Sequence, residues 1–453
     1  MKTFPYRLFA AGLLVATAAC APTSDAPASA GSATFAAGEQ PFPNDPTLWP
    51  SIRQERIQTL LGPAMARAGA EAWVVFAREN ANDPLAAHIG AENAGGLAAF
   101  LFFATEEGEL SSIAISPSSE STALAEVSPL DEVISTPRGE NVYSAAAAIL
   151  AERNPATIAV NSSGRNVADG LSWTQRNAFE RALGPALTSR LVDAGDLVVE
   201  WLSVKLPREV DIMRRAAQLT EHLELEAYEQ IVPGQTTDAD VARFLKGRMA
   251  ELGVTDGWAA DQNPNVNSGP DRGHSHSTEK VIMPGDIIQT DFGIKVHGIW
   301  VTDIQRFAYV LREGETAAPP EMQERWELAR AGSRAAFGSM RPGATGWDVD
   351  RAQRAMLESN GSISIPWSTG HPVGYWAHDL GPRLGGSNGG RPATGDANRA
   401  LVVGQTFAFD GFFGWDLEDG STKTISVEEM AVITQDGAEW LVPPQEELVL
   451  VGG

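Results

Sequence analysis

The sequence predicts an α+β chain: a smaller α/β domain over residues 42–204, then a mixed domain over residues 205–453 with helices on the back of a curved antiparallel sheet. Three observations carry this. The chain has 453 residues, too many for one ordinary core. From Phe42 to Val204, short strand-like runs alternate with helix-period runs, the pattern of an α/β layer. From Leu206 onward, four helical runs are interleaved with and followed by strand-like runs.

The elements follow in order. Ile52 to Ala68 has helical spacing, with Ile57, Leu60, Leu61 and Met65 on one face. Ala72 to Phe76 is a short buried strand, and Ala98–Phe103, Ile113–Ile115 and Ile158–Val160 are further strands. Val142 to Ala151 is a helix. Pro207 opens the next helix, where its missing N–H is not needed. Ile212, Ala216, Leu219, Leu223 and Ala227 give it one apolar face to Gln230, and Val232-Pro233-Gly234 stops it. Thr237-Asp238 caps a second helix through Leu252. Two more run from Glu321 to Met340 and from Trp347 to Asn360, so the helices form two pairs. Strands are expected at Ile287–Phe292, Ile299–Asp303, Phe307–Leu311, Thr406–Phe409 and Ile425–Thr434.

The first twenty residues read as a targeting segment. Lys2 and Arg7 precede an apolar run, Leu8 to Ala19, that is too short to span a bilayer. It ends at Cys20, the only cysteine, in a small-small-Cys pattern that resembles the lipobox of bacterial lipoproteins, with Thr17 where leucine is usual. An exported protein anchored through a lipid on Cys20 is expected, the alternative being ordinary signal cleavage near the same place, with the envelope or periplasmic side as its location. Residues 21–41, rich in Ala, Ser, Pro and Gly, read as a flexible tether. A lone cysteine excludes an internal disulfide. The net charge of -24 argues against a nucleic-acid partner.

Chemistry concentrates after residue 260. Asp291 and Asp303 stand in an apolar hairpin with Gly293 and Gly298. Carboxylates in such surroundings are costly to bury unless paired or bound to a cation. Of seven histidines, four fall in two tight groups: His274 with His276, and His371 with His378. Asp410 ends a strand, and Glu428 and Glu429 lie within another. Alternation sends the two glutamates to opposite faces. Several carboxylates with one imidazole suit Mn, Co, Zn or Fe, and a set of this size suits two ions. Upstream, His88 stands alone and reads as structural; Trp258, Trp300, Tyr375 and Trp376 read as core or as walls of a proline-sized pocket.

The ordered set resembles the pita-bread metallopeptidases, the family of aminopeptidase P, prolidase and methionine aminopeptidase. From Pro207 to the C-terminus the resemblance gives Asp291, Asp303 in TDIQR, His371 in GHPVG, Asp410 and Glu428 as metal ligands. His274, seventeen positions before Asp291, and His378, seven after His371, match two histidines that bind substrate. The N-terminal layer resembles the domain preceding this fold in aminopeptidase P, prolidase and creatinase. The resemblance implies a pita-bread fold, two divalent ions with Mn foremost, and hydrolysis of Xaa-Pro bonds at peptide N-termini or in dipeptides. His274, His378 and Glu428 are the implied catalytic groups, and dimerisation is implied as well.

Four departures stand out. Asp410 occupies the place of a family glutamate, Ser426 that of an arginine two residues before the final glutamate, and an insertion rich in Gly and Asn spans Gly385–Asn398. Asp303 lies twelve residues after Asp291 where the family has eleven, which predicts a β-bulge after Gly298. Two rival readings remain: a metal-free creatinase-like amide hydrolase and a non-catalytic binding protein on the same fold.

Overall fold

The structure, a computed structural model, describes residues 35, 40–80, 82–105, 107–269, 275–386 and 395–452. The targeting segment, Cys20, most of the tether, His274 and residues 387–394 of the insertion lie outside the described residues.

The first layer is built on β1 (Ala72–Ala77), β2 (Ala98–Ala104), β3 (Leu110–Pro117), β4 (Glu132–Thr136), β5 (Ile158–Val160) and β6 (Leu191–Asp193). They form a sheet in the order β4-β3-β2-β1-β5-β6. β1–β2 and β2–β3 are antiparallel, and the other pairs are parallel. The helix expected over residues 52–68 starts earlier and is interrupted: α1 (Leu48–Arg56), a π turn at Ile57–Leu61, then α2 (Gly62–Ala68). Pro63 has no N–H to give the ladder, and the turn before it widens. α3 (Ala86–Ile89), α4 (Ser121–Val127), α5 (Val142–Arg153), α6 (Trp173–Thr188) and α7 (Gly195–Leu202) complete the layer. β4 and β6 escape the sequence reading because they are short, half-exposed edge strands with little apolar signal. α6 escapes because Gly184, at φ 71°, and Pro185 break its period.

The second layer opens with α8 (Pro207–Glu229) and α9 (Asp238–Leu252); α10 (Pro320–Ser339) and α11 (Gly346–Ser359) form the second pair. The second helix of each pair starts with the same capping box, Thr237 with Asp240 and Thr345 with Asp348. The strands are β7 (Thr255–Asp256), β8 (Asn265–Ser268), β9 (Ile287–Phe292), β10 (Ile294–Val296), β11 (Trp300–Val301), β12 (Ile304–Val310), β13 (Gly370–Pro372), β14 (Thr406–Asp416), β15 (Thr422–Thr434), β16 (Gly437–Trp440) and β17 (Val449–Val451). The curved sheet is segmented, with orders β17-β12-β9-β8, β13-β14-β15-β16 and β11-β10-β7. β17 is its one parallel addition among the described residues, on β12. Gly293 marks the break between β9 and β10: a Cβ there would collide with the Thr302 carbonyl and the Trp258 ring.

The expected bulge after Gly298 is absent among the described residues. The pairs Phe292–Ile304, Lys295–Val301 and Val296–Trp300 keep one register from end to end. The extra residue lies in a three-residue turn, His297-Gly298-Ile299, in which His297 and Gly298 take positive φ of 51° and 69°. The strand expected over residues 299–303 is correspondingly short, and the next begins at Ile304 rather than Phe307.

Candidate metal centre

Strand register gathers the acidic residues. Asp291 pairs with Gln305 across β9 and β12. Asp303 stands two residues before Gln305, so Asp291, Asp303 and Gln305 share a face. On the other sheet Asp410 pairs directly with Glu428, Phe412 with Ser426, and His371 with Ala408. Those side chains share the face turned to the first set. Glu429 points away and binds Arg306 at 3.0 Å.

His371 Nε2 lies 3.8 Å from Asp303 Oδ2 and 3.7 Å from Glu428 Oε1. These three offer ligand atoms within 4.8 Å of one another. Asp291 hydrogen-bonds with Asp303, and Asp410 flanks Glu428. Asp291, Asp303 and Asp410 are each 6% exposed and Glu428 3%. Burial first, then the charges of Asp291 and Asp410, push the Asp303 carboxyl well above the usual range. Burial and Asp291 do the same to Asp410. Burial, Asp410, Asp303 and Asp291 do so to Glu428. Burial, with the neighbouring His378, lowers His371 to about 4, so its ring is neutral and free to coordinate. Asp410 Oδ1 is buried with no hydrogen-bond partner among the described residues. An orphaned carboxylate oxygen amid mutually repelling acids is the donor set of a divalent-cation site. The residues present therefore fit such ions.

The cluster forms the floor of a cavity of about 680 Å³, walled by Trp258, Trp367, Phe412, His378 and the Leu380–Gly381 turn. His378 sits edge-on to His371, with ring centroids 4.4 Å apart. Trp300 and Tyr375 are buried core instead, and Trp258 alone of the four weighed aromatics lines the cavity among the described residues. His276 turns its Nδ1 to Asn265 Oδ1 at 2.7 Å and is not among the lining residues. Upstream, His88 packs 4.7 Å from Tyr375 as a core ring.

Sequence reasoning passed over the neutral support of the floor. Gln305 Nε2 donates to Glu428 Oε2 at 2.8 Å, while its Oε1 accepts from Gln289 Nε2 at 2.6 Å and from Ser426 Oγ at 2.7 Å. Ser426, in the place of the expected arginine, thus belongs to an uncharged chain. The parity of Gln305 with Asp303 was the available signal. Also passed over is the ion pair at the cavity wall, where Arg165 of the first layer meets both oxygens of Asp396 at 2.7 and 2.8 Å.

Comparison with known proteins follows the same lines. The model of metallopeptidase family M24 matches residues 211–435. The probable dipeptidase PepE of Mycobacterium tuberculosis is 27% identical over 273 residues, 59% of this chain and 66% of that protein. The chain thus spans just under two thirds of the length of that relative. The Xaa-Pro dipeptidase of Pyrococcus furiosus is 22% identical over 259 residues, 56% of this chain and 67% of that one. Among solved structures, dipeptidase PepE from Mycobacterium ulcerans superposes with a TM-score of 0.63 at 21% identity, covering 89% of this chain and 98% of that one. The X-Pro aminopeptidase from Thermotoga maritima gives 0.61 at 21%, over 88% and 100%. The fold is the pita-bread fold with its preceding domain.

Proposed function

Residues 211–435 form a domain of metallopeptidase family M24, and from that premise we propose that the protein is an exported peptidase cleaving Xaa-Pro bonds with two divalent ions, Mn foremost. The single observation that carries this reading is the floor of the cavity. Four buried carboxylates and one neutral imidazole converge there, and the groups that shift Asp303, Asp410 and Glu428 include no cation among the described residues. Asp291, Asp303, His371, Asp410 and Glu428 would hold the ions. When bound, such ions polarise a peptide carbonyl and acidify water.

The chain's own groups do the rest. Glu428, its other oxygen held by Gln305, takes the proton of the attacking water. His378, on the cavity wall, donates to the carbonyl oxygen as it becomes tetrahedral. His274 is assigned the companion role on the sequence resemblance alone. Trp258, Trp367 and Phe412 offer apolar walls to a proline ring. The relatives whose names mention dipeptides and Xaa-Pro bonds support this substrate class. The test is elemental analysis of purified protein beside an Xaa-Pro assay. Chelated protein should be inactive and Mn should restore turnover, while Asp291→Asn should lose both metal and turnover. Metal-loaded protein that leaves every Xaa-Pro peptide intact sinks the reading.

A further inference from the structure

The loop that carries His378 is held from behind by charges buried at the junction of the two layers. Asp379 closes it: its N–H donates to the Pro372 carbonyl at 2.9 Å. Its Oδ2 accepts from the Tyr375 N–H at 2.9 Å and its Oδ1 from the Leu380 N–H at 2.7 Å. Lys205, between α7 and α8, reaches the same Oδ2 at 3.0 Å, and both side chains are sealed, 1% and 0% exposed. The ammonium also donates to the Leu202 carbonyl at 2.7 Å and sits 4.5 Å above the Tyr375 ring. Gly374 leaves the room this requires, since a Cβ there would collide with the Lys205 side chain and Asp379 Oδ2. The fold-back onto Pro372 is what brings His378 beside His371, seven residues earlier.

We infer that Asp379, fixed by Lys205, is a positioning residue that sets the His378 imidazole against the carboxylate cluster. The inference rests on the peptidase reading for its kinetic consequence but not for its geometry. A buried ion pair is weak support for stability in itself, because desolvation offsets much of the attraction. What it does supply is a fixed backbone position for His378, the residue just before Asp379. The loop's other charged anchor is Glu209, which accepts from the Tyr375 hydroxyl at 2.6 Å, three residues before His378.

The test is a double-mutant cycle on metal-loaded full-length protein. Asp379→Asn should lower kcat by about tenfold or more while KM moves less than about threefold, and in the His378→Ala background the same change should alter kcat by less than about twofold. Equal losses in the two backgrounds overturn the assignment. Should Asp379→Asn fail to fold, the pair Lys205→Met with Asp379→Asn, which removes both buried charges, carries the same comparison. Independently, protein labelled at the histidine ring carbons should show the His378 resonance, identified by its loss in His378→Ala, displaced or doubled in Asp379→Asn. A resonance that stays in place refutes the positioning role. If the wild type cleaves no Xaa-Pro peptide, the peptidase reading falls and the resonance alone decides the positioning.

Discussion

Glu209 offers the sharpest test of how the two layers are joined. Its carboxylate is fully buried and accepts four hydrogen bonds: from Arg56 at 2.6 Å, the Tyr375 hydroxyl at 2.6 Å, the Trp300 indole at 3.1 Å and the Leu206 N–H at 2.9 Å. Arg56 comes from α1 and is 1% exposed. Glu209→Leu strands that guanidinium, and removing one partner of a buried pair costs about 3–5 kcal/mol. The Tyr375 and Trp300 donors left without an acceptor add about 1–3 kcal/mol each at most. A loss of at least about 4 kcal/mol is expected, a large part of the roughly 5–15 kcal/mol of a folded protein. Arg56→Met with Glu209→Leu removes both charges, so the double variant should recover about 2 kcal/mol or more over Glu209→Leu alone. Urea unfolding followed by tryptophan fluorescence, at fixed metal concentration, reads both. A Glu209→Leu midpoint equal to wild type, or a double variant that falls by the sum of its singles, refutes the argument.

Two further outcomes follow. Burial, then the charge of Arg56, lowers His88 to about 3, below its unfolded value of about 6.5. The folded state stays neutral there while the unfolded chain gains a proton, so His88 costs nothing above about pH 6.5 and destabilises increasingly as pH falls toward 3. From about pH 5.5 to 4.5 wild type should therefore lose about 1.4 kcal/mol more than His88→Phe, and equal acid slopes would remove the claim. The lipid anchor is a proposal from sequence: palmitate labelling of the expressed protein should vanish in Cys20→Ala, and labelling that persists refutes it.

Much of the centre was legible because strand period is unforgiving. Glu428 and Glu429 are neighbours, yet alternation alone sends one to the cavity and the other to Arg306. The long amphipathic helices were legible for the same reason at period 3.6. The bulge was misjudged because spacing counts residues without saying where they go; a left-handed pair, His297 and Gly298, absorbs the extra one in the turn. Lys205–Asp379 and Arg56–Glu209 were invisible because their partners lie 174 and 153 residues apart. No local pattern links such positions.

The distribution of charge then explains why the floor favours cations. The chain carries 58 acidic and 34 basic residues, and three basic groups near the floor are committed elsewhere. Arg306, on the strand beside Gln305, turns to Glu221 and Glu429. Lys205 turns to Asp379, and Arg165 to Asp396. Among the described residues, the side chain that hydrogen-bonds Glu428 is neutral: Gln305, backed by Gln289 and Ser426. An arginine at position 426 would place a fixed cation beside Glu428 and compete with a mobile one. The serine and two amides orient the carboxylate without neutralising it, and leave the cluster's charge to be matched by ions. Gly411 keeps Asp410 in that arrangement, because α10 closes on it with no room for a methyl group. The shorter side chain thus stands on a backbone that cannot retreat.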